Sequence, residues 1–381
     1  MNVFCPCCRK NLNSKVLFTH KRCPVLNNVV YHSPKEAQSC SVGSVNLIHC
    51  IECGFVFNES FDKSLIFYDE SYDNTRKYSS IYKNYLTYLS EICANYLNND
   101  DIVMEIGCGK GDFLKNLSDT TGCKAVGYDC TYDGKKEYKN KILFHKKYYQ
   151  PQNNQAKYDM LIFRHMLEHI AEPNSFLEEI FKNPPLKVGK RILIEVPRLE
   201  WILEKCAFYD ITYEHCNYFI KETLISLVNM MGFESENLIN VFGGQYSLLI
   251  GVYRGKSIIP KKTLSLPKIE HLFKELNRAK LRVEEIIDNS DSVSIWGASG
   301  KGVTFLSNIS KRLLDKISYV IDINPSKQGK FLPVSGKRVD PPNILKNTRK
   351  NHTVIVMNWL YNQEIQKMVD EMKIMTTLVP V

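Results

Sequence analysis

Apolar positions fall into short continuous runs separated by amphipathic stretches over most of the chain. Between residues ~80 and ~250, the runs at 102–106 (IVMEI), 124–127 (KAVG), 158–163 (YDMLIF) and 191–196 (RILIEV) read as short strands buried on both faces. The stretches between them carry helical spacing, which is the rhythm of a doubly wound α/β sheet. Residues 260–267 (PKKTLSLP) read as a linker and 268–288 as a charged helix. A second α/β series follows, with strands expected at 292–296 (SVSIW), 317–321 (ISYVI) and 353–357 (TVIVM). Residues 1 to ~60 show little clean periodicity of either kind, as expected where a metal holds the fold. No internal repeat of 20 to 50 residues is present.

Length agrees with this three-part layout: 381 residues give a prior of two to three domains at roughly 150 residues each. The composition is globular, with 44% apolar residues and a net charge of +9, so disordered, collagenous and coiled-coil classes are excluded. The basic pairs Lys135-Lys136 and Lys261-Lys262 have only sparse basic neighbours, which disfavours bulk nucleic-acid binding. No basic stretch followed by an apolar run opens the sequence, and no window reaches ~18 consecutive apolar residues. A soluble, cytoplasmic protein is the expectation.

Cysteine is the unevenly distributed residue. Seven of the thirteen, at 5, 7, 8, 23, 40, 50 and 53, lie in the first 53 positions. Cys5-Pro6-Cys7-Cys8 and Cys50-Ile51-Glu52-Cys53 are two C-x-x-C pairs with 41 residues between them. Two such turns bring four thiolates to ~2.3 Å from one ion and complete a tetrahedral Cys₄ zinc site with no open position for water. Gly54 suits the positive φ that follows such a knuckle. Cys7 competes with Cys8 as a ligand, while Cys23 and Cys40 lack a partner at ligand spacing.

The sharpest chemical signal is Glu105-Ile106-Gly107-Cys108-Gly109-Lys110-Gly111-Asp112, an E-x-G-x-G-x-G between a strand and a helix. Glycines there let backbone approach a ligand at the carboxyl end of the first strand. A dinucleotide fingerprint requires glycine at the position of Asp112, so NAD is disfavoured. Glu105, and Asp129 at the end of the next strand, suit a ligand with a cationic centre and ribose hydroxyls. S-adenosylmethionine (SAM) is such a ligand.

With those residues the chain resembles class I SAM-dependent methyltransferases. Further runs narrow the resemblance: His165-Met166-Leu167-Glu168-His169, then Tyr213-Glu214-His215-Cys216-Asn217-Tyr218-Phe219, then Gly243-Gly244-Gln245. Later come Trp296-Gly297-Ala298-Ser299-Gly300-Lys301-Gly302, the stretch from Asp322 to Lys330, and Asn358-Trp359. With the cysteine knuckles, this order is similar to the C-methyltransferases that act on nucleotide-linked 4-keto deoxysugars, from Cys5 nearly to Val381. The resemblance implies a zinc module (1–65), a SAM domain (66–258) and a C-terminal Rossmann-like domain (259–381) that helps hold the nucleotide sugar.

By that resemblance Cys5, Cys8, Cys50 and Cys53 bind zinc, and Glu105, Gly107, Gly109, Gly111, Asp129 and His165 contact SAM. Glu214 and His215 match an acid and histidine near the sugar, with His215 as general base for a proton next to the ketone. Tyr72 and Tyr78-Ser79-Ser80 resemble a family tyrosine and serine pair that closes over the reacting groups, with shifted tyrosine spacing, Tyr78 taken as catalytic and Tyr72 as substrate-binding. Lys301 and Asn358 are expected at the sugar nucleotide, Lys301 on the diphosphate. His165 and His169, four residues apart, read as helix-start and cofactor-pocket residues, not as a metal pair, and Cys216 reads as packing. Thr212 stands where the family has a tyrosine, and Pro333-Val334-Ser335 and Gly243-Gly244-Gln245 also depart from its pattern. These departures keep three rivals open: an O- or N-methyltransferase on a related carbohydrate, other SAM-scaffold chemistry on the same sugar, and a zinc-ribbon binding protein. Against the last, residues 1–57 carry only six Lys or Arg against two Glu.

Overall fold

A computed structural model describes residues 3–12, 15–98, 100–151, 157–182, 186–257, 266–349 and 351–381. The linker expected at 260–267 lies, up to residue 265, outside them. The middle of the chain forms a mixed eight-stranded sheet. Its strands are β4 (Ile102–Ile106), β5 (Lys124–Tyr128), β6 (Glu137–Tyr138), β7 (Ile142–His145), β8 (Met160–Arg164), β9 (Arg191–Pro197), β11 (Phe233–Val241) and β12 (Tyr246–Tyr253). The spatial order is β11-β12-β9-β8-β4-β5-β7-β6. β4, β5, β7, β8 and β9 run parallel, and β12 joins antiparallel to β9. Order reverses at β4, between β5 on one side and β8 on the other, the place where doubly wound sheets bind ligands.

The helices expected between the runs are present, including α1 (Ser80–Ala94), α2 (Asp112–Thr121), α3 (Pro173–Lys182) and α4 (Lys221–Met230). The core strands are short and buried on both faces, β8 without a break, because helices cover the sheet on both sides. The β11–β12 hairpin was not anticipated. Its first strand alternates polar and apolar positions along an edge and carries a register shift at Ser235–Asn237.

After the helix α5 (Leu266–Asn289), a five-stranded all-parallel sheet is built from β13 (Val293–Trp296), β14 (Ile317–Ile321), β15 (Val339–Asp340), β16 (His352–Val356) and β17 (Thr376–Pro380), in the order β15-β14-β13-β16-β17. Helices α6 (Gly300–Asn308) and α7 (Asn362–Glu371) pack with it. The three expected strands fall at its centre, and the two outer ones were missed because they are short or half-exposed.

The N-terminal segment corrects the expectation of little regular structure. β1 (Val16–Pro24), β2 (Val42–His49) and β3 (Val56–Asn58) form an antiparallel sheet, extended by β10 (Asn217–Tyr218) from the middle of the chain. Register shifts after Val16 and His20 break the two-residue period of β1, which hides it from a pattern reading. Nor is this a bead held by metal alone. Phe18, Val45 and Leu47 share one apolar core with Phe208, Tyr213, Val303 and Phe305, and Tyr31 bridges to Phe331. Among the described residues, no helix is long and apolar enough to cross a membrane.

Candidate active site

At the tip of β4 the chain turns through Gly107, Gly109 and Gly111 at φ of 81°, 54° and 76°, a region L side chains enter only under strain. A Cβ on Gly111 would come within 2.5 Å of the Phe144 ring, whereas the space beside Gly109 is open to 3.9 Å. The loop is held by the next strand. Gly107 and Cys108 donate to the Tyr128 carbonyl, and Gly109 N–H donates to Asp129 Oδ2 at 2.8 Å. The other Asp129 oxygen accepts from Thr131 N–H and Oγ–H, both at 2.7 Å. The four expected residues therefore form one cradle at the switch point of the sheet. Cys108 is buried, its sulfur close to Gly127.

Glu105 lies beneath this cradle, fully buried, with Oε2 lacking a hydrogen-bond partner. Burial pushes its carboxyl up to about 8, and Arg164, 3.8 Å away, only partly opposes this. Arg164 is committed to Glu195 at 2.6 Å, which also accepts from Tyr85 Oη–H at 2.6 Å and lies 3.1 Å from His165 Nε2. A buried acid whose nearest cation, Arg164, is shared with Glu195, below an open glycine turn, fits a ligand that brings positive charge. The residues present thus fit SAM.

A cavity of about 280 Å³ runs from His165 past Glu168, His169, Glu214 and His215 to the glycine turn after β13. Glu214 is buried, accepts from Asn27 N–H at 2.9 Å and from Tyr68 Oη–H at 3.4 Å, and has Tyr72 against its carboxylate. Burial pushes its carboxyl up to about 7. Tyr68 Oη also reaches His169 Nδ1 at 3.3 Å. The His169 and His215 rings meet edge to face with centroids 4.9 Å apart. Burial pushes His169 down to about 4 and His215 down to about 3, the latter helped by the positive charges of His165, Lys301 and Arg76. Cys216, next in sequence, is buried with its thiol toward the Glu168 carbonyl, as packing requires.

Tyr78, expected at the reacting groups, is 42% exposed and lines the cavity without a described hydrogen bond, whereas Tyr72 is buried. The hydroxyls at Glu214 come from Tyr68 and Tyr72. Tyr68 had no motif to mark it, and Asn27 belongs to a segment read only for its cysteines. Thr212, where the resemblance leads one to expect a tyrosine, is buried and accepts from His215 N–H at 3.3 Å.

The far end of the cavity repeats the first loop's construction. Gly297 follows β13 at φ 119°, Ala298 N–H donates to Asp322 Oδ2 at 2.8 Å, and Asn324 N–H donates to Asp322 Oδ1 at 2.8 Å. A Cβ on Gly302, in the first turn of α6, would fall 1.8 Å from the Gly297 carbonyl oxygen. Lys301 pairs with Asp210 and stands over the Trp201 ring at 4.8 Å. Buried Lys327 donates to Ser299 and Ala298, and Arg76 donates to Tyr246 Oη at 2.8 Å. Asn358 lines the cavity with its amide engaged by Gln245 at 2.8 Å.

The cysteine knuckles stand apart from this cavity. The ligand atoms of Cys5, Cys8, Cys50 and Cys53 lie within 4.8 Å of one another, with Cys5–Cys53 at 3.6 Å and Cys8–Cys50 at 3.7 Å. Tetrahedral zinc with ~2.3 Å bonds requires sulfur separations of about 3.8 Å, so the donor set fits zinc. Cys7 is not part of this group, and its carbonyl accepts from Asn174. Each knuckle closes on a positive φ, at Gly54 (81°) and at Arg9 (61°).

Two family models match parts of the chain. Residues 75–238 match the family model of a methyltransferase domain, and residues 270–377 match that of a C-methyltransferase C-terminal domain. No curated protein matches the chain. Similar solved structures include a calicheamicin-biosynthesis methyltransferase with SAH bound (13% identity, TM-score 0.37), covering 45% of this chain and 54% of its own. Magnesium protoporphyrin IX methyltransferase from Synechocystis PCC 6803 with bound SAH is 14% identical at TM-score 0.36, covering 45% and 84%. Human N-acetylserotonin methyltransferase in complex with SAM is 16% identical at TM-score 0.34, covering 48% and 56%. The chain thus spans about half the length of the first and third of these.

Proposed function

We propose that this SAM-dependent methyltransferase transfers its methyl group to carbon, next to the ketone of a nucleotide-linked keto deoxysugar. The observation that carries the reading is one continuous cavity, which joins three histidines and Glu214 to a second glycine turn flanked by cations. A sugar nucleotide has matching parts: an anionic diphosphate for Lys301 and the N-terminus of α6, ribose hydroxyls for Asp322, and a sugar for the histidine end. The match of the last third of the chain to a C-methyltransferase domain supports carbon as the acceptor.

SAM, when bound at the Glu105–Gly111 cradle and Asp129, supplies an electrophilic methyl on a cationic sulfur. The chain's own residues do the rest. His215, neutral at physiological pH because burial disfavours its cation, takes the proton from the carbon beside the ketone. The C–H electron pair passes into an enolate, whose oxygen receives a hydrogen bond from Tyr72 or Tyr68 in place of the family's missing tyrosine. The enolate carbon then bonds the methyl, S-adenosylhomocysteine leaves, and the proton on His215 returns to solvent.

His215→Ala is expected to lower kcat about 10²–10⁴-fold with SAM affinity kept. Retention of most turnover removes His215 as base. Zinc on the four cysteines holds the knuckles, and through β10 and Asn27 the same module holds His215 and Glu214. Chelation is therefore expected to abolish turnover along with the N-terminal fold while SAM binding survives. Metal analysis finding well under one zinc per chain contradicts this.

A further inference from the structure

Glu168, in the turn after β8, lines the cavity. It is 1% exposed, and neither carboxylate oxygen has a hydrogen-bond partner. With no hydrogen-bond donor on either oxygen, the carboxylate has capacity left for a new partner. Imidazoles surround it. His165 Nδ1 stands 3.6 Å from Oε1, and the ligand atoms of Glu168, His169 and His215 lie within 4.8 Å of one another. His215 Nδ1 is likewise buried and unpartnered. Glu214, by contrast, is already supplied with donors by Asn27 and Tyr68, so it has less to offer a new cation.

We propose that Glu168, and not the neighbouring Glu214, is the carboxylate that serves the histidine base, held beside His165 in the resting site and hydrogen-bonded by His215 only once that imidazole has taken the sugar's proton. The inference rests on the C-methylation reading. An interaction that forms as the charge forms lowers the barrier without tightening ground-state binding. It also answers a weakness of the base: an imidazole held near 3 by burial is neutral but weakly basic, and an adjacent carboxylate raises its proton affinity as transfer proceeds. Groups facing His215 from other elements oppose this: His165, Lys301 and Arg76 disfavour its cation, while the His169 ring meets it edge to face. Glu168 is thus a positioning residue, acting through His215.

The test uses the whole enzyme with S-adenosylhomocysteine and a nucleotide keto deoxysugar in deuterated water, following exchange at the carbon beside the ketone. Glu168→Gln is expected to slow exchange by about 100-fold or more, with the sugar-nucleotide KM within threefold and SAM affinity kept. The low-pH limb of the rate moves to lower pH, because the imidazolium has lost its stabilising charge. Glu168→Asp recovers part of the rate. Wild-type exchange with an unchanged rate and limb in Glu168→Gln overturns the inference but leaves C-methylation standing, while no exchange in the wild type overturns both. Joint loss of SAM and sugar binding in Glu168→Gln also overturns it, by making the residue structural. So does a second divalent ion per chain, beyond the cysteine zinc, that Glu168→Gln releases.

Discussion

Two loops in this molecule share one construction and differ in charge. After β4 and after β13, a glycine turn is tied back to an aspartate at the tip of the next strand: Gly109 N–H to Asp129, Ala298 N–H to Asp322, each at 2.8 Å. In both, the other carboxylate oxygen accepts from the residue two positions on, Thr131 or Asn324. The first loop has a buried acid beneath it, Glu105. The second has Lys301 and Lys327 beside it. Since backbone geometry is alike, the side chains around each turn set its charge, and on the proposed reading the acid suits a cationic cofactor and the cations an anionic diphosphate. The cavity runs from His165 to the second turn, past His169 and His215.

The comparison can be broken most severely at a glycine. Gly302→Ala places its Cβ 1.8 Å from the Gly297 carbonyl oxygen, so the second turn must open. Sugar-nucleotide binding is expected to fall more than about 100-fold, roughly 3 kcal/mol, with SAM affinity within twofold by calorimetry. Equal loss of both ligands denies that the loops act separately.

A milder break exchanges the aspartates' roles. Asp129→Ala is expected to weaken SAM about tenfold and leave the sugar-nucleotide KM unchanged, and Asp322→Ala to do the reverse. Steady-state kinetics with each substrate varied measures both, and a crossed effect contradicts the assignment.

The smallest effect concerns Glu105. Its carboxyl, pushed up to about 8 by burial, holds a proton in the free site at neutral pH. A cationic ligand favours the carboxylate, so binding releases that proton, and SAM affinity rises with pH until about 8 and then levels. The slope is at most about tenfold per pH unit, and Glu105→Gln flattens it. Calorimetry in buffers of different ionisation enthalpy reads the released proton directly, and zero release contradicts the role given to Glu105.

The first loop was legible in the sequence because its glycines and two acids are close along the chain and bracketed by continuous apolar runs. Cys5, Cys8, Cys50 and Cys53 were legible as pairs, but Cys7 and Cys8 could be separated only by seeing which thiol faces the other knuckle. The second loop was visible as a glycine turn, yet Asp322 was passed over although it occupies the place Asp129 holds in the first. Tyr68, Asn27 and Arg76 left no trace, since each reaches the cavity from a segment with no local period or motif. The N-terminal sheet was hidden by bulges that interrupt alternation and by a strand, β10, borrowed from more than 150 residues away.

The central claim is that the methyl group reaches carbon. Incubation with isotope-labelled SAM and a panel of nucleotide keto deoxysugars, read by NMR, tests it most directly. The expected product carries the label bonded to the carbon beside the ketone, with the hydrogen of that carbon lost to solvent. Label on oxygen or nitrogen, with that hydrogen retained, contradicts the account.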